Sequence, residues 1–325
     1  MKSRRNRGFC GNSAPLRGKI TAELHKFKVI SVSKEKIGFV GAGLMGQGMA
    51  SNILQSGYDL NVIANRNREP IEELVAAGAN EVPKLQDMAR TSDIIHICAP
   101  GSPQVETIVS DLLPQLKPDT IIVDCSTSDP TSTAKLADQL AEAGCHMVDA
   151  PLGGTPVQAE AGALSTMVGA DDDVFVRVKP VIDCWAETVV HLGAVGMGHK
   201  MKLLNNMLSL WYGAMYSEAL AVAKGVGISV EQFDSVIRGS RMDCGFYQTF
   251  IDCALNGNRE SHNFTLTNAV KDLTYLESMA AAARVPNLIG NAAKNSFAMA
   301  VAEGGDGSED YIPHLADFVA KRSGV

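Results

Sequence analysis

No run of eighteen or more apolar residues occurs in the 325-residue chain, so the sequence offers no transmembrane helix and no membrane role is expected. Metal-ligand spacings are missing as well. The seven histidines form no HxH or HExxH pair, and the seven cysteines form no CxxC pair, so no metal is expected. An odd cysteine count without a secretory leader argues against a disulfide framework and for a reducing compartment. Cys98, Cys125 and Cys145 lie in apolar, strand-like runs and read as small buried hydrophobes. Aromatics make up only 6% of the chain, and in the acidic part beyond residue 35 none interleave with basic clusters, so nucleic acid is not an expected partner.

Charge is unevenly spread. Residues 1–35 hold nine Lys or Arg against Glu23 and Glu35, a balance of +7, so the remaining residues carry −14 of the net −7. The basic head contains no apolar stretch of the length a secretory signal needs, and it reads as a disordered extension or a transit-like peptide. A cytoplasmic protein is expected, or one of the mitochondrial matrix if the head is a transit peptide. The chain as a whole is 46% hydrophobic and 20% charged with a mean hydropathy of +0.03, enough to bury a sizeable core. Its length is about that of two ordinary domains.

From residue 36 onward, short Ile- and Val-rich runs alternate with helix-like segments. Strands are expected over 36–41, 60–64, 94–99, 121–125 and 146–150, with helices such as 69–77 and 131–143 between them. Consecutive apolar residues in the strands point to a parallel sheet covered on both faces, a doubly wound α/β domain. After Gly196 the texture changes, and no proline occurs between residue 197 and Pro286. A helix of roughly 25 residues, near 40 Å, is expected there, followed by helices over 230–238, 266–283, 288–303 and 311–321. The expected plan is thus a basic tail (1–35), a nucleotide-binding Rossmann domain (36–196) and an all-α domain (197–325) for substrate and subunit contacts, joined by the long helix.

GAGLMG at residues 41–46 is a GxGxxG set between a strand and a helix. Gly41 permits the turn, Gly43 lets a pyrophosphate approach, and Gly46 lets helix pack on strand, with Leu44 and Met45 in the same loop. Amide groups at the helix start face the anion. What is missing decides the dinucleotide. The Asp or Glu that NAD sites place after the second strand is absent from VIANRNRE at 62–69, where Asn65 faces the ribose and Arg66, helped by Arg68, offers a planar cation for a 2′-phosphate. NADP is therefore expected, with NAD as the alternative. Ala99 and Pro100, at the end of the third expected strand, complete the cofactor wall.

On the long helix, Lys202, Asn205, Asn206 and Ser209 fall at i, i+3, i+4 and i+7 and form one polar stripe among Met, Leu and Trp. A partly desolvated lysine has its pKa pulled down and can exchange a proton with an alcohol or a forming alkoxide.

KIGFVGAGLMGQGMASNIL, VDCST (123–127), DAPLGGTPVQAEAGAL (149–164), GMGHKMKLLNN (196–206) and KDL (271–273) stand in the order and spacing of the β-hydroxyacid dehydrogenases, and the resemblance covers roughly residues 36–320. It implies a Rossmann domain and a helical domain joined by one long helix, in a homodimer or homotetramer. It also implies proton transfer by Lys202, substrate contact by Asn206, and cofactor contacts by Thr127 and Lys271. Ser209 matches a position that helps hold substrate in the sulfolactaldehyde reductase branch. The motif serine is replaced by Gly153, and an arginine of that branch by Gly154. Amides of Gly153 and Gly154, with the Thr155 hydroxyl, are left to hold a carboxylate, and Arg241 is a candidate replacement cation.

The expected activity is NADP-dependent interconversion of a short β-hydroxyacid and its semialdehyde, as in 3-hydroxyisobutyrate dehydrogenase. The alternatives are a succinic, tartronate or sulfolactaldehyde-type semialdehyde reductase, or a noncatalytic dinucleotide-binding scaffold.

Overall fold

A computed structural model describes residues Lys34–Val325, which form one compact unit. The reading of residues 1–33 as a tail lies outside the described residues. Lys34 and Glu35, assigned above to that tail, are bonded to the body. Lys34 Nζ donates to the Ser56 carbonyl at 2.6 Å, and Arg177 Nε donates to Glu35 Oε1 at 2.6 Å.

Six parallel strands form the main sheet: β1 (Ile37–Val40), β2 (Leu60–Ile63), β3 (Asn80–Glu81), β4 (Ile94–Ile97), β5 (Ile121–Asp124) and β6 (His146–Asp149), in the order β3-β2-β1-β4-β5-β6. Register runs Leu60↔Ile37↔Ile94↔Ile121↔His146 across the sheet. Successive strand residues feed opposite cores, which is why the strands are apolar without alternation. Ile37, Phe39, Val123 and Val148 pack on one side; Val40, Ile95, Ile97 and Ile122 on the other. The crossover helices are α1 (Gly46–Gln55), α2 (Glu69–Ala76), α3 (Leu85–Thr91), α4 (Ser102–Leu112) and α5 (Pro130–Glu142). Strand order reverses between β1 and β4, which opens a crevice at the carboxyl ends of those strands.

The sequence reading lacks a second, three-stranded sheet. It consists of β7 (Leu152–Gly153), β8 (Leu164–Val168) and β9 (Ala186–His191), with the short helix α6 (Pro156–Glu160) and α7 (Asp172–Ile182) between its strands. Everything after it is helical: α8 (Met197–Gly225), α9 (Val230–Ile237), α10 (Gly245–Asn256), α11 (Leu266–Ala282), α12 (Leu288–Ala302) and α13 (Leu315–Ser323). The fold is a doubly wound Rossmann sheet followed by an all-helical region. At 29 residues α8 is about 44 Å long, and its inner face joins Tyr247, Phe250, Leu276 and Phe297 in a separate core. No helix among the described residues is long and apolar enough to cross a membrane.

Helix α8 begins with Gly196 at φ +90°, a conformation without a side-chain cap of its own. Asp149, at the end of β6, does the capping: Oδ1 accepts from the Gly196 amide at 2.6 Å and Oδ2 from the His199 amide at 2.7 Å. Gly198 must stay small here, because a Cβ would stand 2.2 Å from the Met167 carbonyl oxygen. The long helix is thereby seated directly on the sheet.

Candidate active site

The glycine loop runs from the end of β1 to α1. Gly41 has φ +100°, and a Cβ on it would lie 2.1 Å from the Cys98 carbonyl oxygen, so this turn tolerates only glycine. A Cβ on Gly46 would meet the Gly41 carbonyl oxygen at 2.0 Å. Gly43 differs, since nothing lies within 4 Å of its missing Cβ. Among the described residues Gly43, Leu44 and Met45 donate no backbone hydrogen bond, so the amides before α1 face an open cradle fit for a diphosphate.

Beyond β2 the two arginines part company. Arg68 Nη2 donates to both oxygens of Glu81 at 3.1 Å, and Arg68 Nε lies 3.6 Å from Glu72. It is therefore committed to carboxylates. Arg66 and its neighbour Asn65 are exposed, and no ion pair holds Arg66 among the described residues.

The polar stripe of α8 meets α11. Asn206 is buried and donates from Nδ2 to Asp272 Oδ2 at 2.7 Å, while Ser209 Oγ donates to the Asn206 carbonyl at 3.0 Å and Asn205 stays exposed. Lys202, one turn before Asn206, is half-buried, and its Nζ donates no hydrogen bond to any described residue. Burial pushes its ammonium below the usual lysine value; the Asp272 carboxylate opposes this shift and the Lys271 ammonium adds to it. Asp272 itself escaped the sequence reading, although KDL contains it.

Lys271 closes the arrangement against the crevice. Its Nζ donates to the Pro100 carbonyl at 2.6 Å and the Thr127 carbonyl at 3.4 Å, and lies 3.3 Å from Asp272 Oδ1. Nearby, the Ser102 amide donates to Tyr275 Oη at 3.2 Å, and the Ala99 amide to Ser126 Oγ at 2.9 Å. The structure thus brings together Lys202, Asn206 and Lys271, through Asp272, with Pro100 and Thr127 at the ends of β4 and β5. Tyr275 and Ser126 were not singled out in the sequence, because their roles arise only from contacts between distant segments.

Other expected residues are held by contacts of their own. Thr155 is the N-cap of α6: its amide and hydroxyl both donate to Gln158 Oε1, and its Oγ1 accepts from the Gln158 amide. Its hydroxyl is spent on the helix. Gly153 lies in β7, where a Cβ would meet Ser165 Oγ at 2.5 Å, and Gly154 has φ +132°. Arg241 is exposed in the turn between α9 and α10, without an ion pair among the described residues. Cys98 is no nucleophile, since burial pushes its thiol up to about 12.

A Rossmann sheet in the order 3-2-1-4-5-6, a glycine loop with free amides and a lysine beside the crevice suit a nicotinamide-dependent dehydrogenase, and the relatives below make it one that acts on a CH–OH group. The family model described as the NAD binding domain of 6-phosphogluconate dehydrogenase matches residues 36–193, and that described as NAD-binding of NADP-dependent 3-hydroxyisobutyrate dehydrogenase matches residues 196–313. The 2-(hydroxymethyl)glutarate dehydrogenase of Eubacterium barkeri is 37% identical over 205 residues, 62% of this chain and 68% of the relative. Human mitochondrial 3-hydroxyisobutyrate dehydrogenase is 29% identical across 84% of this chain and 83% of its own. The crystal structure of 3-hydroxyisobutyrate dehydrogenase from Salmonella typhimurium superposes with a TM-score of 0.77 at 25% identity, covering 88% of this chain and all of that one. The chain belongs to the β-hydroxyacid dehydrogenase family.

Proposed function

We propose that this protein is an NADP-preferring dehydrogenase that interconverts a short β-hydroxyacid and its semialdehyde, with Lys202 as the proton-transfer group. The observation that carries the reading is the unspent Lys202 amine, half-buried, one helical turn from an Asn206 held by a buried Asp272. A noncatalytic scaffold has no use for such an amine. When bound, the dinucleotide supplies the hydride acceptor for oxidation and the donor for reduction. Lys202 Nζ takes the hydroxyl proton in the first direction and returns it to the carbonyl oxygen in the second. Asn206, oriented by Asp272, presents its amide to the substrate oxygen without adding charge. Ala99, Pro100, Thr127 and Lys271 line the nicotinamide end, and Arg66 with Asn65 faces the ribose 2′-phosphate.

The names 2-(hydroxymethyl)glutarate and 3-hydroxyisobutyrate share a hydroxymethyl group on the carbon next to a carboxylate. We assign the same class to this chain, with the carboxylate facing the backbone of Gly153 and Gly154, Asn205 and Ser209 beside it, and Arg241 as the outlying cation. The domain boundary falls at Gly196, with most of the nucleotide contacts before it and the proton-transfer helix and the subunit contacts after it. Exposed Leu204, Leu208, Met215 and Val222 on α8, with Val226 just beyond its end, support self-association.

The test is Lys202→Met, expected to lower kcat by about 10²- to 10⁴-fold while NADPH binding, followed by fluorescence, is retained. Full turnover by that variant overturns the reading. Arg66→Ala is expected to raise the KM for NADPH about tenfold and leave that for NADH unchanged, whereas Arg68→Ala changes neither.

A further inference from the structure

His199 is fully buried on the first turn of α8, three residues before Lys202. Its Nε2 lies 3.1 Å from the Ser126 carbonyl oxygen, and since a carbonyl only accepts, Nε2 carries the hydrogen. Its Nδ1 lies 2.7 Å from Thr133 Oγ1, at the start of α5. The carboxylates of Asp124 and Asp149 flank the ring, with oxygens 3.7 Å from Nε2 and 3.9 Å from Nδ1 respectively. Asp124 fixes the same loop from below: Oδ1 accepts from the Ser126 amide at 2.9 Å and Oδ2 from Ser128 Oγ at 2.7 Å.

Ser126 precedes Thr127 and holds the Ala99 amide. One side chain on the lysine-bearing helix therefore grips the loop that connects two proposed cofactor-facing segments. This matters because Lys202 Nζ donates to no hydrogen-bonding anchor among the described residues. A lysine without one takes its place from its backbone, and the backbone at 199–202 is held to the β5 loop by this ring.

We propose that His199 is a positioning residue that locks the helix carrying Lys202 to the cofactor-facing loop after β5 through the Nε2–H···O=C bond to Ser126. The inference rests on the proposed role of Lys202. A misplacement of about 1 Å at a reacting group costs on the order of 100-fold in rate, so loosening this bond acts on turnover.

Three substitutions separate the ring's two ends. His199→Gln keeps a donor at the reach of Nε2, His199→Asn keeps polar atoms only at the reach of Nδ1, and His199→Met fills the space with neither. Turnover by His199→Gln is expected within about threefold of the parent. His199→Asn and His199→Met are expected to lose about tenfold or more in kcat, with the Kd for NADPH and the KM for hydroxyacid changed less than about threefold. Amide hydrogen exchange across 197–203 is expected to quicken in the Asn and Met variants and not in Gln. Should His199→Asn fail to fold, the Gln and Met pair decides. Equal kcat for Gln and Met, or a Met variant within threefold of the parent, overturns the proposal. Because Lys202→Met is assayed alongside, failure of the lysine reading (full turnover by that variant) is distinguishable from failure of this one (Lys202→Met inactive, every His199 variant at parental rate).

Discussion

Two histidines among the described residues are completely buried, and they are treated in opposite ways. His199 meets the Ser126 carbonyl and the Thr133 hydroxyl and joins two aspartates at the seat of the long helix. His96, in the middle of β4, is stacked 5.9 Å from Phe39 and set edge-on to Trp185 at 6.2 Å, and neither of its ring nitrogens finds a partner. Trp185 Nε1 and Thr120 Oγ1 are buried without partners too. Burial alone pushes the His96 imidazole down to about 3, so it is neutral throughout the physiological range and serves as an aromatic plate. The comparison separates two uses of buried polarity. At the junction of sheet and helix it fixes a direction; in the sheet it costs stability and brings no hydrogen bond in return.

The largest effect is expected where the satisfied region is broken. Asp149→Ala strips the acceptor from two buried amides, Gly196 and His199, at the start of α8. Each unsatisfied buried amide costs about 1–3 kcal/mol, so urea unfolding is expected to show a loss of about 2–6 kcal/mol for the two. A loss below about 1 kcal/mol means that Asp149 does not cap the helix.

The unsatisfied region is broken by acid instead. An imidazole at about 3 in the folded protein and 6.5 in the unfolded chain leaves the unfolded state binding more protons between those values. Stability is complete above pH 6.5 and falls as pH drops toward 3. The slope approaches about 1.4 kcal/mol per pH unit, so this residue alone removes about 2 kcal/mol by pH 5. His96→Leu is expected to lose about 2 kcal/mol less than the parent when unfolding is compared at pH 7 and pH 5. Parallel losses in the two proteins contradict the assignment.

This contrast could not be read in advance from the chain. The strands around His96 were legible because five short apolar runs recur between helix-like segments, and the glycine loop because strand, motif and helix are contiguous. Lys202 and Asn206 were legible as a stripe because i and i+4 share a helix face. Partnership across the fold was not. Asn206 reaches Asp272 across 66 residues, and His199 reaches Ser126 across 73, distances at which spacing carries no information. Arg68 looked like a phosphate ligand because Glu81 enters only through the sheet edge at β3. The capping role of Thr155 was written locally, in the TPVQ pattern of a capping box, and was overshadowed by the substrate motif around it. The small sheet was hidden because β7 has two residues and β8 alternates buried and half-buried positions over only five.

Asp272 lies between the two extremes and gives the smallest expected effect on stability with the sharpest on chemistry. One of its oxygens is bonded to Asn206, and the other is buried without an aligned hydrogen bond although Lys271 Nζ lies 3.3 Å away. Asp272→Asn keeps the shape and an acceptor for Asn206, so its effect on the unfolding midpoint is expected to stay within about 1 kcal/mol. The charge is what disappears. Asp272 holds the Lys202 ammonium up against burial, and without it the amine loses its proton at lower pH. Oxidation of the hydroxyacid needs the neutral amine, so the rising limb of kcat against pH is expected to move toward acid in Asp272→Asn, and the falling limb of the reductive reaction to move with it. A limb that stays in place would show that the group titrating in the complex is not Lys202, and a limb that moves toward alkali would show that Asp272 acts on it through something other than its charge.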